Sequence, residues 1–175
     1  MTKGVAVLLP AAFLFCRIAA GAPDGFEAVR CGSDVRKALV GRKTSDERVV
    51  VLEERHKDLG LRDLGGSEIS DRLFLGSWRI CGDEYAVLEE KNVVRDVLRV
   101  PPHSKESPEF TGACRMSGKD IPGTVIAVLK NEKGADRLSA TAARKIDEKG
   151  KKFVPLSPEG LRCPRDGVIT ADGGR

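Results

Sequence analysis

Aromatic side chains, histidines and long apolar runs are all scarce in this chain. Of its 175 residues 5% are aromatic, with one Trp and one Tyr, and there are only two histidines. The core must therefore be built mainly from Val, Leu, Ile and Ala. Two histidines are few for a hydrolase or a metal enzyme, without ruling out either. No C-x-x-C pair is present, and a structural zinc site normally draws on such close pairs. Also lacking are a G-x-S-x-G elbow, a phosphate-binding loop, a dinucleotide fingerprint and an EF-hand loop. No cofactor and no metal is expected on these grounds. Neither is nucleic-acid binding: the 30 basic and 26 acidic residues alternate along the chain instead of forming a basic face.

What the chain does have starts with a leader. Lys3 supplies a positive start, residues 5–15 are apolar, and Ala19, Ala20 and Gly21 offer small side chains to a peptidase. These features fit a secretory signal peptide over residues 1–21, cut near Gly21. The apolar run is shorter than the roughly 20 residues that cross a bilayer, so no membrane anchor is expected after cleavage. Cys16 follows bulky Phe15, which argues against a lipoprotein. The expected location is outside the cytoplasm, periplasmic or extracellular.

Export gives the remaining cysteines a meaning. Cys31, Cys81, Cys114 and Cys163 are even in number, as for two disulfides with three possible connectivities. The preferred pairing is Cys31–Cys81 with Cys114–Cys163. The first ties the N-terminal segment to the middle of the chain and the second ties the tail to the later strands.

Turn chemistry outlines the strands. Between residues 78 and 100, Gly82-Asp83 and residues 89–92, ending in Asn92, divide the chain into three short apolar runs. Glycine and asparagine tolerate the positive φ that tight hairpin turns require. Residues 131–134 and 147–150 repeat the pattern with Gly134 and Gly150 at the end. The flanking runs, such as residues 124–129, are β-branched and too short for typical helices.

Ahead of these, Ser33 is placed to cap a short helix through Val40. Ser45, followed by Asp46 and Glu47, is placed to cap another through residue 59. The run Val49-Val50-Val51 prefers a strand, but alternation fails beyond Leu52. Val49, Leu52, His56 and Leu59 then share a helix face, with Glu53 and Lys57 paired four apart. Gly65-Gly66 reads as a flexible connection, and Phe74, Trp78 and Ile80 share one strand face.

The resulting expectation is an α+β fold. One or two N-terminal helices pack on an antiparallel meander of about six or seven short strands, stapled by two disulfides. An all-β sandwich or barrel is the alternative. The divisions are a flexible lead-in over 22–32, a single domain over 33–165 and a polar tail over 166–175.

Candidate site residues follow from the pattern. Arg95 and Arg99, on one face of the third run, suggest a patch for a small anionic ligand. His103 sits in the polar loop 101–109, and Trp78 and Tyr85 flank a turn as an aromatic contact surface. Glu53-x-x-His56 is half of a carboxylate-bridged metal motif with no second copy in the chain. The best functional expectation is an exported, non-enzymatic binding or inhibitory module with a protein or small anionic ligand as partner. The alternatives are a secreted hydrolase using a histidine–carboxylate pair through His103 or His56, and a structural envelope protein.

Overall fold

Two-residue turns organise the middle of the molecule. In the computed structural model, which describes residues 24–44 and 47–169, Cys81 and Gly82 both have positive φ, as do Lys91 and Asn92. Such pairs match the right-handed twist of the strands they join. They link β2 (Leu73–Ile80), β3 (Asp83–Glu90) and β4 (Val93–Arg99), preceded by β1 (Arg62–Ser70), into an antiparallel sheet of order β1-β2-β3-β4. The first turn lies one residue earlier than Gly82-Asp83, because Ile80 pairs with Asp83. Gly65-Gly66 is not a flexible connection: both residues lie inside β1, paired with Ser77 and Gly76.

After a linker, the chain forms β5 (Glu109–Gly112), β6 (Arg115–Met116), β7 (Lys119–Asp120), β8 (Val125–Leu129) and β9 (Arg137–Asp147). β10 (Lys152–Pro155), β11 (Leu161–Pro164) and β12 (Val168–Ile169) follow. They make a second sheet of order β12-β5-β8-β9-β11-β6-β7, with β10 also on β9. The fold is thus mainly antiparallel β with little helix, split between two sheets. A single meander of six or seven strands does not describe it. The expected polar tail, 166–175, contains one of these strands, β12. At the hairpin between β9 and β10, positive φ falls on Lys151, while Asp147 accepts a bond from the Gly150 N–H instead.

Helical pieces are short. A 3-10 turn at Gly25–Ala28 precedes α1 (Val35–Leu39) and α2 (Val49–Arg55). Residues 24–30, expected to be a flexible lead-in, instead join the core: Phe26 and Val29 are buried and Asp24 caps the 3-10 turn. Asp34, not Ser33, caps α1 through the Lys37 N–H. The expected cap of α2 at Ser45 and Asp46 lies outside the described residues, as do the leader and its cleavage point. α2 stops at His56, and another 3-10 turn, Lys57–Leu59, ends on left-handed Gly60. Lys57 pairs with Glu54, leaving Glu53 to Arg62.

Strand alternation sorts the apolar residues into layers. On one face of the first sheet Trp78, Ile80, Tyr85 and Val87 pack with Phe26, Val29, Leu39, Leu52 and Leu59 of the helical segment. On its other face Leu73, Leu75, Ala86 and Leu88 meet Ile126 and Ile146 of the second sheet. β3 is therefore buried on both sides from Tyr85 onward. The far face of the second sheet closes over Phe110, Val125, Ala127, Leu129, Leu138 and Leu161. Each half carries one disulfide, Cys31–Cys81 in the first and Cys114–Cys163 in the second, with Cα atoms 5.5 Å and 4.4 Å apart. No helix among the described residues is long and apolar enough to cross a membrane.

Candidate functional site

The helical segment covers only part of the first sheet. Toward the β1–β2 turn the same face is left open, and a cleft of about 330 Å³ forms there. Its lining includes Phe26, Leu52, Trp78, Gly66, Gly76 and Glu89. Val49 and Phe74 also line it, and they stay 39% and 42% exposed. The glycines keep the strands bare. A Cβ on Gly66 would lie 2.4 Å from the Phe74 ring and 2.6 Å from the Leu75 carbonyl. The charged lining is mostly acidic, with Glu47, Asp63 and Glu89 against Lys91. Burial pushes the Glu89 carboxyl above the usual range, and a hydrogen bond donated by the Thr44 hydroxyl only partly counters this.

A second constellation lies where the two sheets meet. Glu84 is the second residue of β3, Glu109 opens β5, and His103 sits in the linker between the sheets. His103 Nε2 is 3.4 Å from Glu84 Oε2 and 3.8 Å from Glu109 Oε2, and its side chain is 6% exposed. That nitrogen has no hydrogen-bond partner. Glu84 is also held by Arg79 at 2.6 Å. Burial pushes the Glu109 carboxyl up, His103 opposes that and Glu84 adds to it. One donor atom from each of the three residues can lie within 4.8 Å of the others, a grouping able to hold a metal ion. A small pocket of about 180 Å³, lined by Glu84, His103, Pro101, Pro102 and Arg99, adjoins it.

The other residues singled out from the sequence are placed differently. Arg95 and Arg99 do not form a free cationic patch. Arg95 bonds Glu90 at 2.7 Å and Arg99 bonds Asp83 at 2.5 Å. The pairing register slips at Leu88/Glu89, where Glu89 faces Val94 and Leu88 faces Asp96. This bulge leaves Arg95 unpaired in the ladder, and it lets Val94 and Val97 enter one core while Asp96 is buried. Trp78 and Tyr85 are cross-strand partners in the core, 8% and 9% exposed, and not an exposed aromatic surface. Trp78 nevertheless lines the cleft. His56 and Glu53 part company: His56 Nε2 is 3.0 Å from both oxygens of Asp24, while Glu53 binds Arg62 and the Asp63 N–H.

Asp24 and Asp96 are the two buried aspartates among the described residues, and residue-by-residue reasoning missed both. Asp24 accepts from the Phe26 N–H, Arg55 and His56. Burial raises its carboxyl, but the His56 and Arg55 bonds outweigh this and hold it below the usual range. The signal was local, since Asp24-x-x-Glu27 has the spacing of an N-terminal capping pair. Asp96 accepts from Arg36 on α1 and from the Phe153 N–H on β10. Nothing in the neighbouring residues announces those partners. The chain matches no protein-family model, no curated protein and no solved structure, so its own geometry carries the functional argument.

Proposed function

We propose that this chain is an exported, non-enzymatic binding module whose seat is the cleft between α2 and the β1–β2 hairpin. The ligand is an extended peptide segment that presents an apolar side chain beside a basic one. The observation that carries this reading is an open aromatic-floored cleft whose edge keeps Val49 and Phe74 exposed. Apolar side chains left in water around a concavity mark interaction sites. The acidic lining sets the sign of the partner: Asp63 and Glu89 favour a cationic group next to the inserted apolar one, while Glu47 is already paired with Arg55. Two disulfides hold the frame and suit an oxidising compartment.

Selection of displayed random heptapeptides on residues 22–175 with the disulfides formed tests this. Recovered peptides should share a Leu, Ile or Phe next to Lys or Arg. Val49→Glu and Phe74→Glu, both at exposed positions, should weaken their binding at least about tenfold, since each places a charge where an apolar contact of 1.4 kcal/mol or more is expected. Selection of peptides without a basic residue, or binding indifferent to both substitutions, would overturn the proposal. A hydrolase remains the second reading, favoured by the meeting of His103 with Glu84 and Glu109. Turnover of ester or peptide substrates that survives His103→Ala removes it.

A further inference from the structure

We propose that Glu84, His103 and Glu109 form a binding site for a divalent transition cation of the zinc class, tying the two sheets together. The three donors come from separate places: β3 of the first sheet, the linker, and β5 of the second sheet. No short metal-binding motif runs through them, because the fold and not the local spacing assembles the set.

The first argument is an unpartnered nitrogen. His103 Nε2 is buried and makes no hydrogen bond, yet it faces carboxylate oxygens at 3.4 Å and 3.8 Å. A buried polar atom without a partner is costly, and native structures rarely leave one unexplained. The Pro101 carbonyl lies 3.4 Å from Nδ1. A carbonyl oxygen only accepts, so Nδ1 carries the hydrogen in that contact, and Nε2 is the nitrogen that would turn a lone pair to a cation held between the two carboxylates. Three lone-pair donors then face one gap, and a cation between them meets all three.

Dimensions and chemistry narrow the class of ion. Ligands around a tetrahedral ion with bonds of about 2.0–2.1 Å stand roughly 3.3 Å apart. The His103–Glu84 separation of 3.4 Å is already close to that, and His103–Glu109 at 3.8 Å needs only a small approach. One imidazole with two carboxylates suits zinc and its neighbours, whereas calcium and magnesium take oxygen ligands. Supporting contacts are also present. Pro101 orients the imidazole, and Arg79 holds one oxygen of Glu84 while the other points to His103. Such outer partners orient ligands in natural sites. Three protein ligands leave a fourth position open, and the pocket lined by Glu84 and His103 gives it a route to solvent.

The test uses the oxidised protein, stripped with chelator and titrated calorimetrically with ZnCl2, then with CaCl2 and MgCl2. Zinc should bind one to one at micromolar or lower Kd and raise the melting temperature. Calcium and magnesium should bind at least about a hundredfold more weakly, given the imidazole in the ligand set. Co2+ should give the intense visible bands of a four-coordinate site. Glu109→Gln and Glu84→Gln, close in shape to the originals, should each weaken zinc at least about tenfold. His103→Ala should abolish the bands, while His56→Gln should leave them unchanged. Zinc affinity unaltered by Glu109→Gln and Glu84→Gln, or lost only in His56→Gln, would overturn the proposal even if His103→Ala failed to fold.

Discussion

Replacing Asp96 by alanine tests how the three layers are joined. Its carboxylate is 3% exposed and lies on β4 of the first sheet. One oxygen accepts from Arg36 of α1 at 2.7 Å, and the other accepts from the Phe153 N–H of β10 at 2.9 Å. A single side chain thus reaches the helical layer and the second sheet. Truncation leaves the Phe153 N–H without its acceptor, which costs about 1–3 kcal/mol. The Arg36 side chain is 64% exposed, so loss of that pair adds at most about 1 kcal/mol. The sum is about 1–4 kcal/mol. Urea unfolding at neutral pH, followed by circular dichroism with both disulfides intact, measures it. Arg36→Ala should cost less than about 1 kcal/mol in the same assay. The reasoning fails if Asp96→Ala costs under about 0.5 kcal/mol, or if Arg36→Ala costs as much as Asp96→Ala, since the backbone bond to β10 is then not the main loss.

Other outcomes follow from the same contacts. Cys114 and Cys163 stand 49 residues apart, so the double Ser variant should lose about 4 kcal/mol in the chain-entropy account, read from its urea midpoint. Glu89, raised by burial, binds its proton more tightly folded than unfolded. Its contribution is fully present below the unfolded pKa and is lost as pH rises through the folded value. Glu89→Gln should therefore gain on the wild type as pH is raised from about 4 to 8, seen by comparing melts across that range. Asp24 behaves in the opposite sense: its lowered carboxyl stabilises the fold above the unfolded pKa, and this support is lost as pH falls through the folded value. Asp24→Asn should be less stable than wild type at neutral pH, with the gap closing in acid melts. Gly66→Ala should cost about 1–3 kcal/mol by overpacking, because the Leu75 carbonyl cannot swing aside as a ring can.

Local chemistry exposed part of this fold. Short apolar runs bounded by Gly82 and Asn92 mark β2, β3 and β4, since positive φ at a tight turn leaves few choices of residue. Evenly numbered cysteines announced a disulfide frame. β1 was hidden because Gly65 and Gly66 look like a break. In place Gly66 is covered by Phe74 across the sheet, a contact that depends on pairing and not on neighbours. The bulge near Arg95 was hidden for the same reason, so the expected shared face of Arg95 and Arg99 was not formed. In the candidate sites, Trp78 and His103 stood out by rarity. Glu84 and Glu109 did not, because one acidic residue among 26 carries no mark until the sheets bring it to a histidine. The cleft was illegible because it exists only where short helices fail to cover a longer sheet.

Trp78 is the only tryptophan in the chain and lines the cleft. Its emission therefore reports directly on whether that cleft takes a ligand. Titrating the oxidised protein with a selected peptide bearing an apolar residue next to a basic one should shift or quench that emission saturably. The change should disappear in Phe74→Glu. A peptide that binds by calorimetry while Trp78 emission stays constant would place the seat elsewhere and contradict the account.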